Sequence, residues 1–155
     1  MSLLRIYAPL GETPLRCEWA LLDGPQSARG EGALADLPRA ADRVQLVVPA
    51  AQALITRARL PQGARRRAGS VLAFAVEEAS AAEPEANQVS WLGAAGEADA
   101  LAVIDKRGLE RWRDALEAAG LRAYEVHSEI LLLPLAGGEW SLAWDGAEGF
   151  VRAGE

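Results

Sequence analysis

One helix in this sequence is marked at both ends, and it constrains the fold class more than any other feature. Asp105 stands where an N-cap belongs and Gly120 where a helix stops, while Lys106–Ala119 carries Leu109, Trp112, Leu116 and Ala119 along one side. The flanking segments, Ala100–Asp105 and Leu121–His127, read as strands. A strand–helix–strand run makes the chain α/β, with a right-handed crossover if the two strands lie parallel in one sheet. With 155 residues the chain can bury a core without disulfides, and its single cysteine, Cys17, cannot form one internally.

The remaining elements follow from changes of period. Leu3–Tyr7, Arg16–Leu22 and Gln26–Leu34 form an expected antiparallel meander turned at Asp23-Gly24-Pro25, with Gly30 and Gly32 weakening the third strand. Cys17, Trp19 and Leu21 share one face of the second strand. Arg43–Val48 alternates through Val44, Leu46 and Val48 before Pro49; Ala53–Leu60 sets Leu54, Thr56, Ala58 and Leu60 on one face and Arg57 and Arg59 on the other. After Pro61 the period lengthens, and Ala64, Ala68, Val71, Leu72, Ala75 and Ala79 make the stripe of a helix bounded by Pro84. Asn87–Leu92 pairs with Ala100–Asp105 as a hairpin. Ser128 is placed to cap a short turn over Ile130–Leu133, and Trp140–Trp144 with Phe150–Ala153 opens another strand pair. Trp19, Leu46, Leu72, Trp112 and Leu116 are the expected core.

Composition then removes whole classes of function. Half the residues are hydrophobic and a quarter charged, which excludes a mainly disordered chain. The net charge of −6 opposes unspecific binding to nucleic acid, and only Arg65-Arg66-Arg67 approaches a basic patch. No Cys/His group has zinc-ligand spacing. The N-terminus is interrupted too early by Arg5 and Pro9 for a signal peptide, and no stretch approaches ~18 uncharged apolar residues, so a soluble, cytoplasmic chain is expected. Its end directly after a strand-like segment gives the expectation of a fragment.

Catalytic chemistry finds little support. His127, the only histidine, has no triad partner placed by sequence; Cys17 reads as a buried apolar thiol. Glu77 and Glu78 are adjacent on a helix and therefore point about 100° apart. There is no G-x-x-x-x-G-K-[ST] run, the only lysine, Lys106, begins the capped helix, and Asp23-Gly24 and Asp145-Gly146 serve as hairpin turns. No catalytic, metal or cofactor-binding residue is assigned. Arg65–Arg67 at the start of the helix and Glu77, Glu78 and Glu83 toward its end oppose the helix dipole at up to roughly 0.3–1 kcal/mol per charge. Either they are solvated or paired elsewhere, or they form a polar interaction surface. The second reading nominates Arg57, Arg59, Arg65, Arg66, Arg67, Phe74, Glu77 and Glu78 as partner-binding residues.

Several strings, in order, resemble the cytoplasmic domain of type II secretion system protein L. They are Trp19-Ala20-Leu21-Leu22-Asp23, Val47-Val48-Pro49, Leu54-Ile55-Thr56-Arg57, Arg59-Leu60-Pro61 and Leu72-Ala73-Phe74-Ala75-Val76-Glu77-Glu78. Leu109-Glu110-Arg111-Trp112, Ala118-Ala119-Gly120-Leu121, Leu131-Leu132-Leu133-Pro134 and Trp140-Ser141-Leu142-Ala143-Trp144-Asp145-Gly146 follow. The resemblance implies an α/β, actin-like (ribonuclease H-like) fold with mixed sheets, related to the pilus assembly protein M. Residues 1–42 and 107–137 would form the first actin-like lobe, 43–106 an inserted small α/β subdomain, and 138–155 the start of a truncated second lobe. It further implies a non-enzymatic scaffold without cofactor that recruits the assembly ATPase through its N-terminal domain. Other inner-membrane platform proteins and a homodimer are further implied partners, and membrane attachment would come only through a C-terminal transmembrane segment outside this chain. The alternative is an actin-class ATP-binding assembly protein like the pilus homologue. The stretch Tyr7–Glu12, however, lacks the aspartate of an Asp-x-Gly phosphate turn. Ala79-Ser80-Ala81-Ala82-Glu83-Pro84 also departs from the acidic, amide-rich run with which the family's helix continues.

Overall fold

Period-two segments and tight turns dominate the chain, so strands dominate the computed structural model. It describes residues 1–11, 16–60, 70–80, 82–121, 124–144 and 146–153. The elements are β1 (Ser2–Tyr7), β2 (Cys17–Asp23), β3 (Gln26–Gly32), β4 (Arg43–Val48), β5 (Ala53–Ala58), α1 (Ser70–Ala75), β6 (Asn87–Ala95) and β7 (Ala98–Asp105). They continue with α2 (Lys106–Ala118), β8 (Tyr124–Ser128), α3 (Glu129–Leu132), β9 (Trp140–Trp144) and β10 (Gly149–Ala153). The chain divides into two compact units, Met1–Ala50 with Trp112–Glu155, and Ala51–Arg111.

The first unit holds a five-stranded sheet in the order β3-β2-β1-β4-β8, antiparallel from β3 to β1 and parallel from β1 to β8. Leu4 and Ile6 on β1 and Leu46 and Val48 on β4 are fully buried, as are Trp112 and Leu116 of α2. The indole Nε1–H of Trp112 donates to the Pro9 carbonyl at 2.9 Å, which satisfies the one polar atom that so large a buried ring carries. Both marks on α2 are used as read. Asp105 Oδ2 accepts the Gly108 N–H at 2.6 Å, and Gly120, at φ +77°, is the left-handed C′ residue of a Schellman motif. Its bonds run from the Gly120 N–H to the Glu117 carbonyl and from the Leu121 N–H to the Leu116 carbonyl, each 2.9 Å. β9 and β10 form a separate two-stranded sheet whose Trp140, Leu142, Trp144 and Val151 share one exposed apolar face.

The second unit is an antiparallel three-stranded sheet, β5-β7-β6, with α1 against it. Its core comprises Leu72, Ala73 and Val76 with Val89, Leu101 and Val103, and Ala58 and Leu60 pack on the margin.

Three expectations are corrected here, and the pairing of the strands that flank α2, left open above, is settled. β4 is a strand of the five-stranded sheet, pairing parallel with both β1 and β8, and not part of the insertion expected to begin at residue 43; the smaller unit begins at Ala51. β7 and β8, the strands flanking α2, lie in different sheets, because β7 is already paired on both sides by β5 and β6. The helix after Pro61 is described from Ser70 and ends at Ala75; a 3-10 turn takes over at Glu77–Ala79, and Leu72, Ala73 and Val76 are buried while Ala79 is exposed. Ser128 occupies the N-cap position of α3, but its buried hydroxyl makes no hydrogen bond. Of the expected core only Trp19 is half-buried, since its strand is one in from the sheet edge and its ring lies over Gly30, where an added Cβ would stand 3.0 Å from the indole. Cys17 is buried, a free thiol pushed up in pKa by burial and by the nearby Glu31.

Candidate functional site

The nominated partner-binding residues sort by sheet face. Residues opposite one another in an antiparallel ladder share a face, so Leu54, Thr56 and Ala58 lie with Val103, Leu101 and Asp99, the face on which α1 packs. Arg57 pairs with Ala100 and is exposed on the other face. Arg59 follows the end of β5 and meets Glu97 of the β6–β7 turn at 3.1 Å, both side chains extensively exposed, a geometry that contributes at most about 1 kcal/mol. Phe74 stands out from α1 at 58% exposure, and Glu77 is exposed on the 3-10 turn that follows. The Glu78 side chain and Arg65, Arg66 and Arg67 lie outside the described residues. The structure therefore puts Phe74 and Glu77 on one side and Arg57 on the other.

On the α1 side the sequence reading missed Trp91. A bulge between Trp91 and Gly93 displaces Leu92 from the ladder, and both Trp91 and Leu92 remain 43% exposed. The Trp91 indole donates to Asp99 Oδ1 at 2.9 Å, which fixes the ring and satisfies a carboxylate that is almost fully buried. The glycine inside an otherwise alternating strand was the available signal for that bulge.

A second polar surface lies in the larger unit. Leu3, Arg5 and Tyr7 point away from Leu4 and Ile6, and the register adds Gln45 and Val47 from β4 and Glu125 and His127 from β8 to the same face. Glu125 is its centre. Arg43 Nη2 reaches both carboxylate oxygens at 2.6 Å, Gln45 Nε2 donates to Oε2 at 3.1 Å, and His127 Nε2 lies 3.3 Å away. Those bonds, the Arg43 pair foremost, pull the carboxyl down to about 2 from its ordinary 4.5. Gln45 continues the chain by accepting from Arg5 Nε at 3.1 Å. His127 is thus a neighbour of a structural ion pair and not part of a nucleophilic array. Beside this network is a cavity of about 750 Å³ bordered by Arg5, Tyr7, Glu18, Arg29, Glu31 and Glu129. Two guanidiniums and three carboxylates line it, so it presents no field of a single sign. Among the described residues no group of three or more His, Cys, Asp and Glu side chains is placed to hold a metal ion. No described helix is long and apolar enough to cross a membrane.

Comparison with known proteins gives the family and the fold. The family described as type II secretion system (T2SS), protein L, matches residues 22–155. The type II secretion system protein L of Klebsiella pneumoniae is 31% identical over 107 residues, which is 69% of this chain and 27% of that protein. The chain thus spans about a quarter of that relative's length. Among solved structures, the cytoplasmic domain of EpsL, an inner-membrane component of the type II secretion system of Vibrio cholerae, superposes with a TM-score of 0.78 at 22% identity. The match covers 99% of this chain and 68% of that one. The α/β, actin-like architecture with mixed sheets expected from the sequence is the one the two share.

Proposed function

The chain belongs to the type II secretion system protein L family, and from that premise we propose that it is a non-enzymatic cytoplasmic scaffold domain of the inner-membrane platform, one that recruits the assembly ATPase. The observation that carries the reading is the fold match to the cytoplasmic part of an inner-membrane secretion component across 99% of this chain. Chemistry supports the scaffold role over the nucleotide-binding alternative. The Tyr7–Glu12 stretch has no aspartate to organise a phosphate turn, and its Pro9 carbonyl is committed to the Trp112 indole. Residues 138–155 read as the first hairpin of a second lobe, with the apolar face of Trp140, Leu142 and Trp144 directed to the rest of that lobe.

The partner surface we assign to the smaller unit, with Phe74 as the apolar contact and Glu77, Glu78 and Arg65–Arg67 as its charged rim. Arg57 and Arg59 extend the surface around the β5 edge. Exposed aromatics flanked by charge fit a protein interface, where the apolar centre supplies affinity and the rim selects the partner. Co-purification with the N-terminal domain of the cognate ATPase tests the reading. Retention by the wild-type chain and loss with Phe74→Asp is the expected result; no retention of the wild-type chain overturns the recruitment role, and undiminished retention of Phe74→Asp overturns the placement.

A further inference from the structure

α3 has only four residues, too few for a helix to hold itself, and side chains from two distant parts of the chain grip it at its two ends. Its carbonyls have no helix ladder to bond into, and Pro134, which lacks an N–H, cannot extend one. At the C-terminal end Arg152 of β10 supplies the missing donors, its Nη1 reaching the Leu131 carbonyl at 3.1 Å and the Leu133 carbonyl at 2.7 Å. Ser141, directly opposite Arg152 in the β9–β10 ladder, donates its hydroxyl to the Pro134 carbonyl. At the N-terminal end Glu129 Oε2 accepts the Ala50 N–H at 3.1 Å. Ala50 opens a 3-10 turn (Ala50–Gln52), and the smaller unit begins at the next residue.

The hairpin depends on that grip. A two-stranded sheet is marginally stable on its own in water, and Trp140, Leu142, Trp144 and Val151 leave one face of this one exposed. The half-buried face carries Ser141, Ala143, Phe150 and Arg152. Arg152 has no carboxylate partner among the described residues, so its charge is committed to the carbonyls at the end of α3. Bonds from an ionised donor are the strong ones, and a guanidinium is favoured at a helix C-terminus.

We propose that Arg152 and Ser141 form a latch, and that α3, held between this latch and Glu129, couples the β9–β10 hairpin to Ala50, the root of the smaller unit. With the latch closed, α3 cannot shift without breaking either the Arg152 bonds or the Glu129 bond. With it open, the hairpin keeps its own ladder but loses its tie to α3, and Glu129 is free to leave the Ala50 amide. A displacement of the hairpin therefore reaches a residue about a hundred positions away through one short element, with no change in the five-stranded sheet.

Amide hydrogen exchange on the full 155-residue chain tests the latch and the coupling separately. Arg152→Ala should speed exchange in the hairpin, residues 140–144 and 149–153, and at Ala50 by about tenfold or more, while residues 4–6 and 46–48 keep their protection. Ser141→Ala, which removes only a neutral hydroxyl, should move the same amides less. Coupling is reciprocal, so Glu129→Ala should speed exchange in the hairpin as well as at Ala50. A hairpin indifferent to Arg152→Ala overturns the latch. Faster exchange in the hairpin with Ala50 unchanged, or a hairpin indifferent to Glu129→Ala, overturns the coupling. Loss of protection across the five-stranded sheet in Arg152→Ala and in Ser141→Ala alike overturns both, since the two residues would then support the whole unit. None of these outcomes bears on recruitment of the ATPase, which the co-purification measures separately.

Discussion

Trp112→Ala is the most demanding test of how the larger unit is held together. The ring is fully buried, so truncation removes its whole contact with the sheet. A buried indole covers ~150–250 Å² of surface, which at ~25 cal/mol per Å² amounts to about 4–6 kcal/mol of transfer free energy. Truncation also strips the Pro9 carbonyl of its 2.9 Å donor, a change that costs about 1–3 kcal/mol where water cannot replace it. Partial collapse of the site returns some of this, and measured losses for such truncations run about 3–5 kcal/mol. Against a total stability of ~5–15 kcal/mol the variant stands near the limit of folding. Equilibrium urea denaturation, followed by far-UV circular dichroism, should show a large fall in midpoint with an unchanged slope. Trp112→Phe separates the two contributions, since it retains most of the buried ring and loses only the donor, for a cost of about 1–3 kcal/mol. A loss below about 1 kcal/mol for Trp112→Ala would refute the assignment of α2's inward face.

Glu125 gives a pH signature. Its carboxyl titrates near 2 in the folded chain and at an ordinary 4.5 when unfolded, so its stabilisation is complete above 4.5 and drains away as pH falls toward 2. Denaturation midpoints across that window should fall more steeply for wild type than for Glu125→Gln; parallel curves would remove Glu125 from the network. Gly120→Ala should destabilise by about 1–2 kcal/mol, because its φ of +77° strains any L side chain while the one close atom, Arg39 Nη1 at 2.9 Å, can swing aside. Mg-ATP should leave the melting temperature unchanged, whereas a ligand at 100 times its Kd would stabilise the fold by ~2.7 kcal/mol. Reversing Arg65–Arg67 to glutamate should slow association with the ATPase N-terminal domain at low salt and flatten its salt dependence, with circular dichroism confirming the fold; unchanged kinetics would move the partner surface elsewhere.

Local chemistry was legible in the sequence where it needed no knowledge of the rest of the chain. Asp105, Gly120 and the Leu109–Trp112–Leu116 stripe define α2 because capping and period act within a few residues. β4 shows where that reach ends. Its alternation through Val44, Leu46 and Val48 announces a strand but says nothing about which sheet receives it. The structure buries Gln45 and Val47 as well, the two-sided burial of an interior parallel strand, and the polar Gln45 masks that signature. Gln45 is buried because it bridges Arg5 and Glu125, residues 40 and 80 positions away. No spacing rule could have joined them.

The candidate site divides along the same line. Period two already separated Arg57 from Leu54, Thr56 and Ala58, and the structure adds that α1 covers the latter group, so Arg57 and Phe74 face away from each other across one thin sheet. A single flat partner cannot touch both. A partner that needs Arg57 must therefore pass around the β5 edge, where Arg59 and Glu97 already meet in an exposed pair that contributes little and yields easily. A partner that needs only Phe74 finds Glu77 on the adjoining turn and requires no rearrangement of that edge. The effects of Phe74→Asp and of an Arg57 reversal on association should accordingly combine additively if two separate contacts are made. An Arg57 reversal without effect, beside a strong effect of Phe74→Asp, would confine the partner to the α1 side of the sheet.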